Sequence, residues 1–400
     1  MRPLITCILL FPVFLGTAFS QGENPGRPVL KALPLDFEND IPNEPVAPPG
    51  TNMPIQPPAP SAAPQPIPDP APAASPITSP EPVLVSPIDQ KPVGDDAVRL
   101  QIFLDETNFG PGVIDGKVGR FSELAAQSWN EVNGHPIESW TAVNTAARKA
   151  VPNPFAVAVV PETVSEWVNP SLSTKRSLQA KAKRMSYRSI GEFMSERYHT
   201  DIPYLISLNS SSKIYGLKAR DSIVVPNVRP FNIENLSDRA YNELEDLSER
   251  YAVVDTKINQ VRIFAAAPRP NIVTDPEAPP VPVANTALIA SFPITPGKPQ
   301  FVKFGSWKLK NMVEMPWWRY DQQLLDTGKR SDNALMIPPG PNSPVGIIWN
   351  GTTKPGIGLH GTSDPETIGR AQSAGCIRLS NWDAIRLPTL LRPGATVEIR

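Results

Sequence analysis

Apolar and polar residues follow different patterns in successive parts of the 400-residue chain. The first is an apolar run over residues 4–19, which follows a positively charged residue and is short for a membrane span. Small residues stand before Gln21, as in the cleavage site of a signal peptide. We therefore predict that residues 1–20 are a signal peptide and that no stable membrane span remains after cleavage. An uncleaved membrane anchor is the alternative.

Proline dominates the next segment. Residues 21–95 contain 21 of the 50 prolines and one aromatic residue, Phe37. Proline fixes φ and removes a backbone donor, and a segment with so few aromatic residues cannot build a packed core. This composition predicts a disordered tether, partly in the polyproline II conformation. Two roles fit such a tether: it lets the protein reach into a surrounding mesh, or it serves only as a spacer.

Helical spacing of apolar residues begins near residue 97. It predicts one helix near 98–103 and a second at about 122–132. We assign residues 96–150 to a small helical module and residues 151–186 to a connector. Five basic residues of the connector are predicted to form the solvated side of a helix: Lys175, Arg176, Lys181, Lys183 and Arg184.

Residues 187–228 combine short helices with a closing strand. The helices are predicted around 190–198 and 203–208, and the β-branched residues 223–225 predict the strand. This order indicates a small α+β module.

Residues 229–250 are predicted to be a helical linker that ends in a charged helix near 238–250. Two of the three histidines, His135 and His199, lie upstream of this linker, in a turn and at a helix end. Both are predicted to be capping or surface residues.

Short apolar strands separated by Gly, Pro and Asn turns fill residues 251–400. They begin with a predicted hairpin over 251–266 and end with a strand over 395–400. A proline-rich loop at 268–285 is longer than a hairpin needs and is interpreted as an insertion. The predicted fold class is therefore multidomain, with a mainly β domain preceded by a small α-helical module and a small α+β module.

Charge and cysteine content limit the classes of function. The formal charge is −1, whereas nucleic-acid binding needs a strong basic excess on one face, so no nucleic-acid partner is predicted. Loss of the signal peptide would remove Cys7 and leave Cys376 as the one cysteine of the exported chain. A single thiol in an oxidising compartment has no intramolecular disulfide partner. Composition alone leaves two roles open, a nucleophile or a buried apolar residue.

Cys376 stands sixteen residues after His360, the one histidine of residues 251–400. Cysteine attack on an amide needs a base, a group that orients the base, and donors for the oxyanion. His360 ends an apolar strand, and the carbonyl of Gly361 can accept a hydrogen bond from its Nδ1. Backbone amides near Gly375 and Cys376 can donate to an oxyanion, because glycine permits close approach. A zinc site is disfavoured, since one histidine and one cysteine supply too few ligands. No metal or cofactor is predicted.

The segments PPGPNSPVGIIW and GIGLHGTSDPETIGRAQSAGCIRLSN resemble the L,D-transpeptidase catalytic domain, also called the YkuD domain. The resemblance extends to SFPITPG, FGSWKL and the last strand. It therefore spans residues 251–400 and implies a YkuD-like β-sandwich. It also implies that Cys376 is the nucleophile, His360 the base and the Gly361 carbonyl the orienting group. Further residues implied at the substrate or oxyanion site are Tyr320, Ser373, Gly375 and Arg378.

One position departs from the family motif S/T-H-G-C, because Ala374 stands where histidine is usual. The base in that family is the earlier histidine, matched here by His360, so the minimal pair is kept. Loss of an auxiliary acid-base group lowers a rate by about 10² to 10⁴. The expected function is therefore a cysteine L,D-transpeptidase, and the alternative is a weak or inactive peptidoglycan-binding scaffold.

The upstream modules carry resemblances of their own. Residues 96–150 resemble the small peptidoglycan-binding domain of bacterial wall enzymes, through LQ-x-FLD, G-P-G-x-IDG and G-x-F. Residues 187–228 resemble a LysM-type glycan-binding module. Together these imply peptidoglycan as the partner, with both its tetrapeptide stems and its glycan strands, and a location in the periplasm or cell wall. The implied reaction forms 3-3 cross-links, or acylates another amine, through a thioester on Cys376.

Overall fold

The computed structural model describes residues 89–266, 287–297, 302–323, 331–370 and 376–400. The predicted signal peptide, residues 21–88 of the predicted tether and the whole of the predicted 268–285 insertion lie outside these ranges. Within them, every helix is too short or too polar to cross a membrane.

Three helices form the first described part of the chain: α1 (Asp95–Glu106), α2 (Arg120–Val132) and α3 (Thr141–Ala150). Their apolar faces meet in one core, where Val98, Leu100 and Ala125 are buried. Gln101 holds the loop between α1 and α2, since its Oε1 accepts from Gly116 N at 2.8 Å. Both helices predicted here are confirmed, and α3 is an additional one.

A two-stranded antiparallel sheet follows, formed by β1 (Phe155–Val159) and β2 (Ser222–Pro226). Five helices lie between them: α4 (Val164–Trp167), α5 (Arg176–Gln179), α6 (Ile190–Arg197), α7 (Ile202–Asn209) and α8 (Ser211–Tyr215). Helices α6 and α7 and strand β2 confirm the sequence prediction. In contrast, β1 lies in residues 151–186, for which the sequence predicts only a connector. Its five residues, FAVAV, lie between prolines and form too short an apolar run to be recognised as a strand.

One large sheet organises the C-terminal part. Nine strands of the described ranges belong to it: β3 (Ala240–Tyr241), β4 (Tyr251–Asp255), β5 (Gln260–Phe264), β6 (Leu288–Pro293), β7 (Gly305–Glu314), β10 (Ile348–Thr352), β11 (Gly358–His360), β12 (Ile377–Arg378) and β13 (Thr396–Ile399). A separate antiparallel pair consists of β8 (Trp318–Tyr320) and β9 (Leu335–Ile337). Two helical turns, α10 (Asn381–Ala384) and α11 (Leu387–Leu390), precede β13. The predicted mainly β domain is thus confirmed.

The strand order of the large sheet is β12-β11-β10-β7-β13-β4-β5-β6, and β3 also pairs with β7. Two pairs are parallel, β11 with β12 and β13 with β4. The loop after α1 covers the β6 edge, where Gly110 N donates to Ser291 O at 2.7 Å and Ser291 N donates to Asn108 O at 2.9 Å. The helical part is therefore hydrogen-bonded to the edge of the sheet.

Residues 229–250 differ from the predicted helical linker. They contain one 3₁₀ turn, strand β3 and a single helical turn, α9 (Glu245–Ser248). Tyr241 pairs its backbone with β7 and donates its hydroxyl to the buried Glu314, whereas Leu244 is exposed. The prediction was wrong because pairing with the sheet outweighs local helix propensity.

Apolar packing joins the parts of the chain. The largest cluster includes Ala158 of β1, Phe193 of α6 and Val397 of β13. A second cluster combines the three N-terminal helices with Leu288 of β6. A third, which we call the nucleophile cluster, consists of Leu172, Met185, Trp318, Ile337, Val345, Trp349 and Cys376. The candidate cysteine therefore packs in one cluster with residues of the connector and of the β domain.

Candidate active site

His360 ends β11, the strand between β10 and β12. Its backbone pairs with Trp349 on one side and Arg378 on the other. The imidazole is buried and stacks on the Trp349 indole, with ring centroids 5.6 Å apart and 21° between the planes. Its Nδ1 lies 2.7 Å from the carbonyl oxygen of Gly361. The contact expected from the sequence is present.

The surroundings of His360 fix its protonation. Burial lowers its pKa to about 3, and the charge of Arg378 also lowers it, while the hydrogen bond to Gly361 opposes the change. The imidazole is therefore neutral near pH 7. Because a carbonyl oxygen can only accept, Nδ1 carries the hydrogen and donates it. The lone pair is left on Nε2, which is the form that a general base needs.

Cys376 immediately precedes β12, which runs parallel to β11 with Arg378 opposite His360. Side chains alternate along a strand, so Cys376 and Arg378 point to the sheet face of His360. The cysteine is buried, and its Sγ donates to Gly356 O at 3.4 Å. Neighbouring strands thus bring the predicted base and nucleophile to one face of the sheet.

Arg378 is fixed through its backbone. Its N donates to Thr295 O at 3.0 Å, and its O accepts from Thr295 N at 2.9 Å. The guanidinium Nε is buried, and no residue in the described ranges accepts a hydrogen bond from it. The arginine predicted at the substrate site therefore holds a charged donor beside His360.

Tyr320 lies on β8 and packs against the nucleophile cluster, with its ring centroid 5.5 Å from that of Trp318. The guanidinium carbon of Arg176 lies 5.0 Å from the centroid of the Trp318 ring and 5.9 Å from that of Tyr320. Burial lowers the pKa of Arg176. The connector was predicted to expose its basic residues, and this prediction is wrong for Arg176, because a planar guanidinium stacks readily on aromatic faces.

Residues 371–375 lie outside the described ranges. The two predicted site residues Ser373 and Gly375, and the departing residue Ala374, therefore have no described position. Their roles remain those implied by the sequence.

The connector is joined to the loop before β10 by hydrogen bonds that the sequence did not indicate. Met185 N donates to Pro339 O, and Asn342 N donates to Met185 O, both at 2.9 Å. Gly340 has φ of +147°, and a Cβ there would lie 2.3 Å from Met185 O. Only a residue without a side chain allows this approach, so a close backbone contact holds the connector beside the nucleophile cluster.

Ser380 and Asn381 stand at the start of α10, and serine and asparagine are both common helix caps. Ser380 is the cap of α10 and accepts from Asp383 N at 3.2 Å. Asn381 is buried, and its Oδ1 accepts from Ile347 N at 3.2 Å. Its amide therefore serves contacts outside its own helix.

His199 differs from the predicted surface or capping residue. It is 3% exposed, its Nδ1 lies 3.0 Å from Asp105 Oδ2, and its ring stacks on Trp382 at 5.3 Å between centroids. Arg386 Nη2 donates to the same carboxylate oxygen at 2.6 Å. Three distant parts of the chain thus meet in one buried ion cluster.

The charges of this cluster set the protonation of its carboxyl groups. Burial would raise the pKa of Asp105, but Arg386 and His199 outweigh it and hold that pKa below its usual range. Burial, together with the charge of Asp105, raises the pKa of Asp383 to about 7, although Arg386 opposes this. A cleft of about 490 Å³ opens beside the cluster. In the part of the chain that is described, no three His, Cys, Asp or Glu side chains group as metal ligands would.

Residues 272–399 match the family model of the L,D-transpeptidase catalytic domain, YkuD. This part of the chain is therefore similar to the YkuD catalytic domain. The YkuD protein of Bacillus licheniformis is 41% identical over 61 residues, which cover 15% of this chain and 37% of that protein. The YkuD protein of Bacillus subtilis is 42% identical over 59 residues, 15% of this chain and 36% of that protein. The chain thus matches little more than a third of the length of these relatives.

Solved structures of L,D-transpeptidases are less similar to the chain in sequence than these two relatives. L,D-transpeptidase 3 from Mycobacterium tuberculosis has 14% identity and a TM-score of 0.26, over 46% of this chain and 76% of that one. An L,D-transpeptidase from Mycobacterium smegmatis has 17% identity and a TM-score of 0.25, over 38% and 58% of the two chains.

Proposed function

We propose that the protein is an exported cysteine L,D-transpeptidase that acts on peptidoglycan. The observation that carries this proposal is the state of His360, which is buried and neutral and is hydrogen-bonded through Nδ1 to the Gly361 carbonyl. His360 ends β11, and Cys376 immediately precedes the neighbouring strand β12. The match to the YkuD family supports the same reaction. The proposed location is the periplasm or cell wall, reached after cleavage of the signal peptide at residues 1–20.

In the first half-reaction, Cys376 Sγ attacks the carbonyl carbon at the L-centre of the third residue of a tetrapeptide stem. His360 Nε2 takes the thiol proton as the C–S bond forms. The backbone N–H of Cys376, with that of Gly375, donates to the oxyanion. The C–N bond to D-alanine then breaks, the imidazolium gives its proton to the leaving amine, and a thioester remains.

In the second half-reaction, the side-chain amine of a neighbouring stem attacks the thioester and gives a proton to His360 Nε2. The C–S bond breaks and the proton returns to Cys376 Sγ. The product is a 3-3 cross-link, or an acylated amine of another acceptor. If water attacks instead, the same residues carry out hydrolysis.

Substrate binding would use groups around the pair. The buried Nε of Arg378 is suited to a carboxylate of the stem, since a charged donor in this position gains most from an anionic partner. Tyr320 would line the acyl site. Residues 96–150 and 187–228 would bind peptidoglycan upstream of the catalytic domain.

The test is incubation of the mature protein with disaccharide tetrapeptide, followed by mass spectrometry. We expect loss of D-alanine and a cross-linked dimer with the wild type, and neither with Cys376→Ala. If the tetrapeptide stems stay intact with both the wild type and Cys376→Ala, the enzyme proposal is refuted. Acyl-enzyme mass measured with and without an added amine separates transfer from hydrolysis.

Two observations favour a binding scaffold as the second candidate. Ala374 replaces the usual histidine, and the side chain of Cys376 is fully buried. A thiol-reactive carbapenem distinguishes the two functions. An adduct on Cys376 under native conditions supports the enzyme, whereas an unreactive thiol with retained binding to sacculi supports the scaffold.

A further inference from the structure

Asn381 touches the turn that orients His360. It follows β12 at the start of α10, and its side chain is completely buried. A Cβ built on Gly361 would lie 2.0 Å from Asn381 Oδ1, so the amide oxygen occupies the space beside that glycine. Gly361 is the residue whose carbonyl accepts from His360 Nδ1. One side chain therefore packs directly against the group that orients the base.

The same amide holds the loop before β10. Its Oδ1 accepts from Ile347 N at 3.2 Å, and its Nδ2 donates to Pro341 O at 3.4 Å. Gly346 lies on the same side, since a Cβ there would come within 2.2 Å of Asn381 Oδ1 and 2.5 Å of the Gly361 carbonyl carbon. Two glycines thus leave room for one amide, which ties the loop to the His360 turn.

We propose that Asn381 is a positioning residue that fixes the Gly361 carbonyl and thereby holds His360 with its hydrogen on Nδ1. The inference rests on the proposed function for its kinetic part alone. Backbone bonds already place His360, because Leu379 N donates to His360 O at 2.8 Å. The Gly361 N contact to Ile348 O is longer, at 3.4 Å, so the carbonyl after the histidine depends more on side-chain support.

The first experiment measures the imidazole directly in the full mature chain. Three histidines are present, so ¹⁵N NMR at pH 7 gives few ring signals, and His360→Gln assigns the one of interest. We expect one neutral form with hydrogen on Nδ1 in the wild type and a mixture of both neutral forms in Asn381→Ala. A wild-type spectrum for His360 in Asn381→Ala would overturn the proposal. This result is independent of any activity on peptidoglycan.

The second experiment compares kinetics of D-alanine release. Misplacement of a catalytic group by a remote change lowers rates by up to about 100-fold, so we expect kcat of Asn381→Ala to fall by about 10-fold to 100-fold with KM nearly unchanged. Ser380→Ala is the matched control, because it removes the cap of the same helix, and the atoms nearest to a Cβ at Gly346 or Gly361 belong to Asn381 and the two glycines. We expect its kcat and its His360 spectrum to match the wild type. Equal losses of kcat in both variants would assign the effect to helix stability and overturn the proposal.

Asn381→Ser keeps the proposal testable if the alanine variant does not fold. Its hydroxyl leaves a polar group in the buried site, while the shorter side chain withdraws the oxygen from Gly361. Circular dichroism checks the fold of each variant. Mixed neutral forms of His360 in Asn381→Ser support the positioning role, and a single form with hydrogen on Nδ1 overturns it.

Discussion

Replacement of Glu196 by glutamine should remove a pH dependence of stability. Glu196 lies on α6, is 6% exposed, and packs where the upstream helices meet Asn381. Burial raises its pKa from 4.5 to about 8, although hydrogen bonds from Tyr187 and Asn381 oppose the change. The folded protein therefore keeps this proton at pH values where the unfolded chain has released it.

The sign and size follow from proton linkage. Between pH 4.5 and pH 8 the folded state binds more protons at Glu196 than the unfolded state, so the free energy of unfolding falls as pH rises through this interval. The interval is 3.5 pH units. Each unit corresponds to about 1.36 kcal/mol, so the free energy of unfolding can fall by at most about 5 kcal/mol across it. Glu196→Gln keeps the shape of the neutral acid and cannot ionise. The variant should therefore match the wild type near pH 4.5 and exceed its stability at pH 8.5 by up to this limit.

The assay is urea unfolding followed by tryptophan fluorescence at several pH values from 4.5 to 8.5. Glu162→Gln is the matched control on the same part of the chain, since Glu162 is exposed and pairs with Arg220 at the surface. Its curve should follow the wild type at every pH. A difference between Glu196→Gln and the wild type that stays constant with pH, or a less stable variant at pH 8.5, would refute the reasoning.

Three further predictions follow from the site and its supports. Burial lowers the pKa of His360 to about 3, so this imidazole stays neutral near pH 6.5. The rate at which a carbapenem acylates Cys376 should therefore not fall near pH 6.5 through protonation of His360. Arg386→Ala leaves the buried carboxylate of Asp105 without its closest cation, so unfolding in urea should show a loss of about 3 to 5 kcal/mol. Gly340→Ala places a methyl group against the backbone of Met185, so trypsin should cleave the connector faster than in the wild type.

Controls and contrary outcomes differ between these three. A fall in the acylation rate near pH 6.5 that coincides with protonation of the His360 ring in ¹⁵N NMR would contradict the first prediction. Arg220→Ala is the control for the second, because its exposed pair with Glu162 should contribute only about 0 to 1 kcal/mol. Equal losses in the two arginine variants would contradict the buried role of Arg386. Unchanged connector cleavage in Gly340→Ala would contradict the third.

Local sequence signals predicted many strands of the β domain and the hydrogen bond that orients His360. Apolar runs bounded by Gly, Pro and Asn marked the strands, because a buried strand needs both features within a few residues. The contact between His360 and Gly361 was equally accessible, since it joins adjacent residues. Predicting that Cys376 lies near His360 required the family resemblance, because the spacing of two residues in the sequence does not show which strands are neighbours.

Long-range pairing explains what the sequence did not reveal. His199 looked like a surface residue at a helix end, yet its partner Asp105 is 94 residues away. Asn381 is one of two possible caps by residue type, and only the packed structure shows that two glycines make room for its amide. In both cases a polar residue has a buried partner that no local pattern identifies.

The ion cluster of Asp105, His199 and Arg386 bears on how the chain is made and how it can be divided. Arg386 is synthesised 281 residues after Asp105, so the first helix waits for almost the whole chain before its buried carboxylate meets its cation. A fragment cut at residue 251 would keep Arg386 and lose both partners, so the limits of a catalytic family need not be those of an autonomous folding unit. A chain shortened to the family match would therefore expose Arg386 without Asp105 and His199.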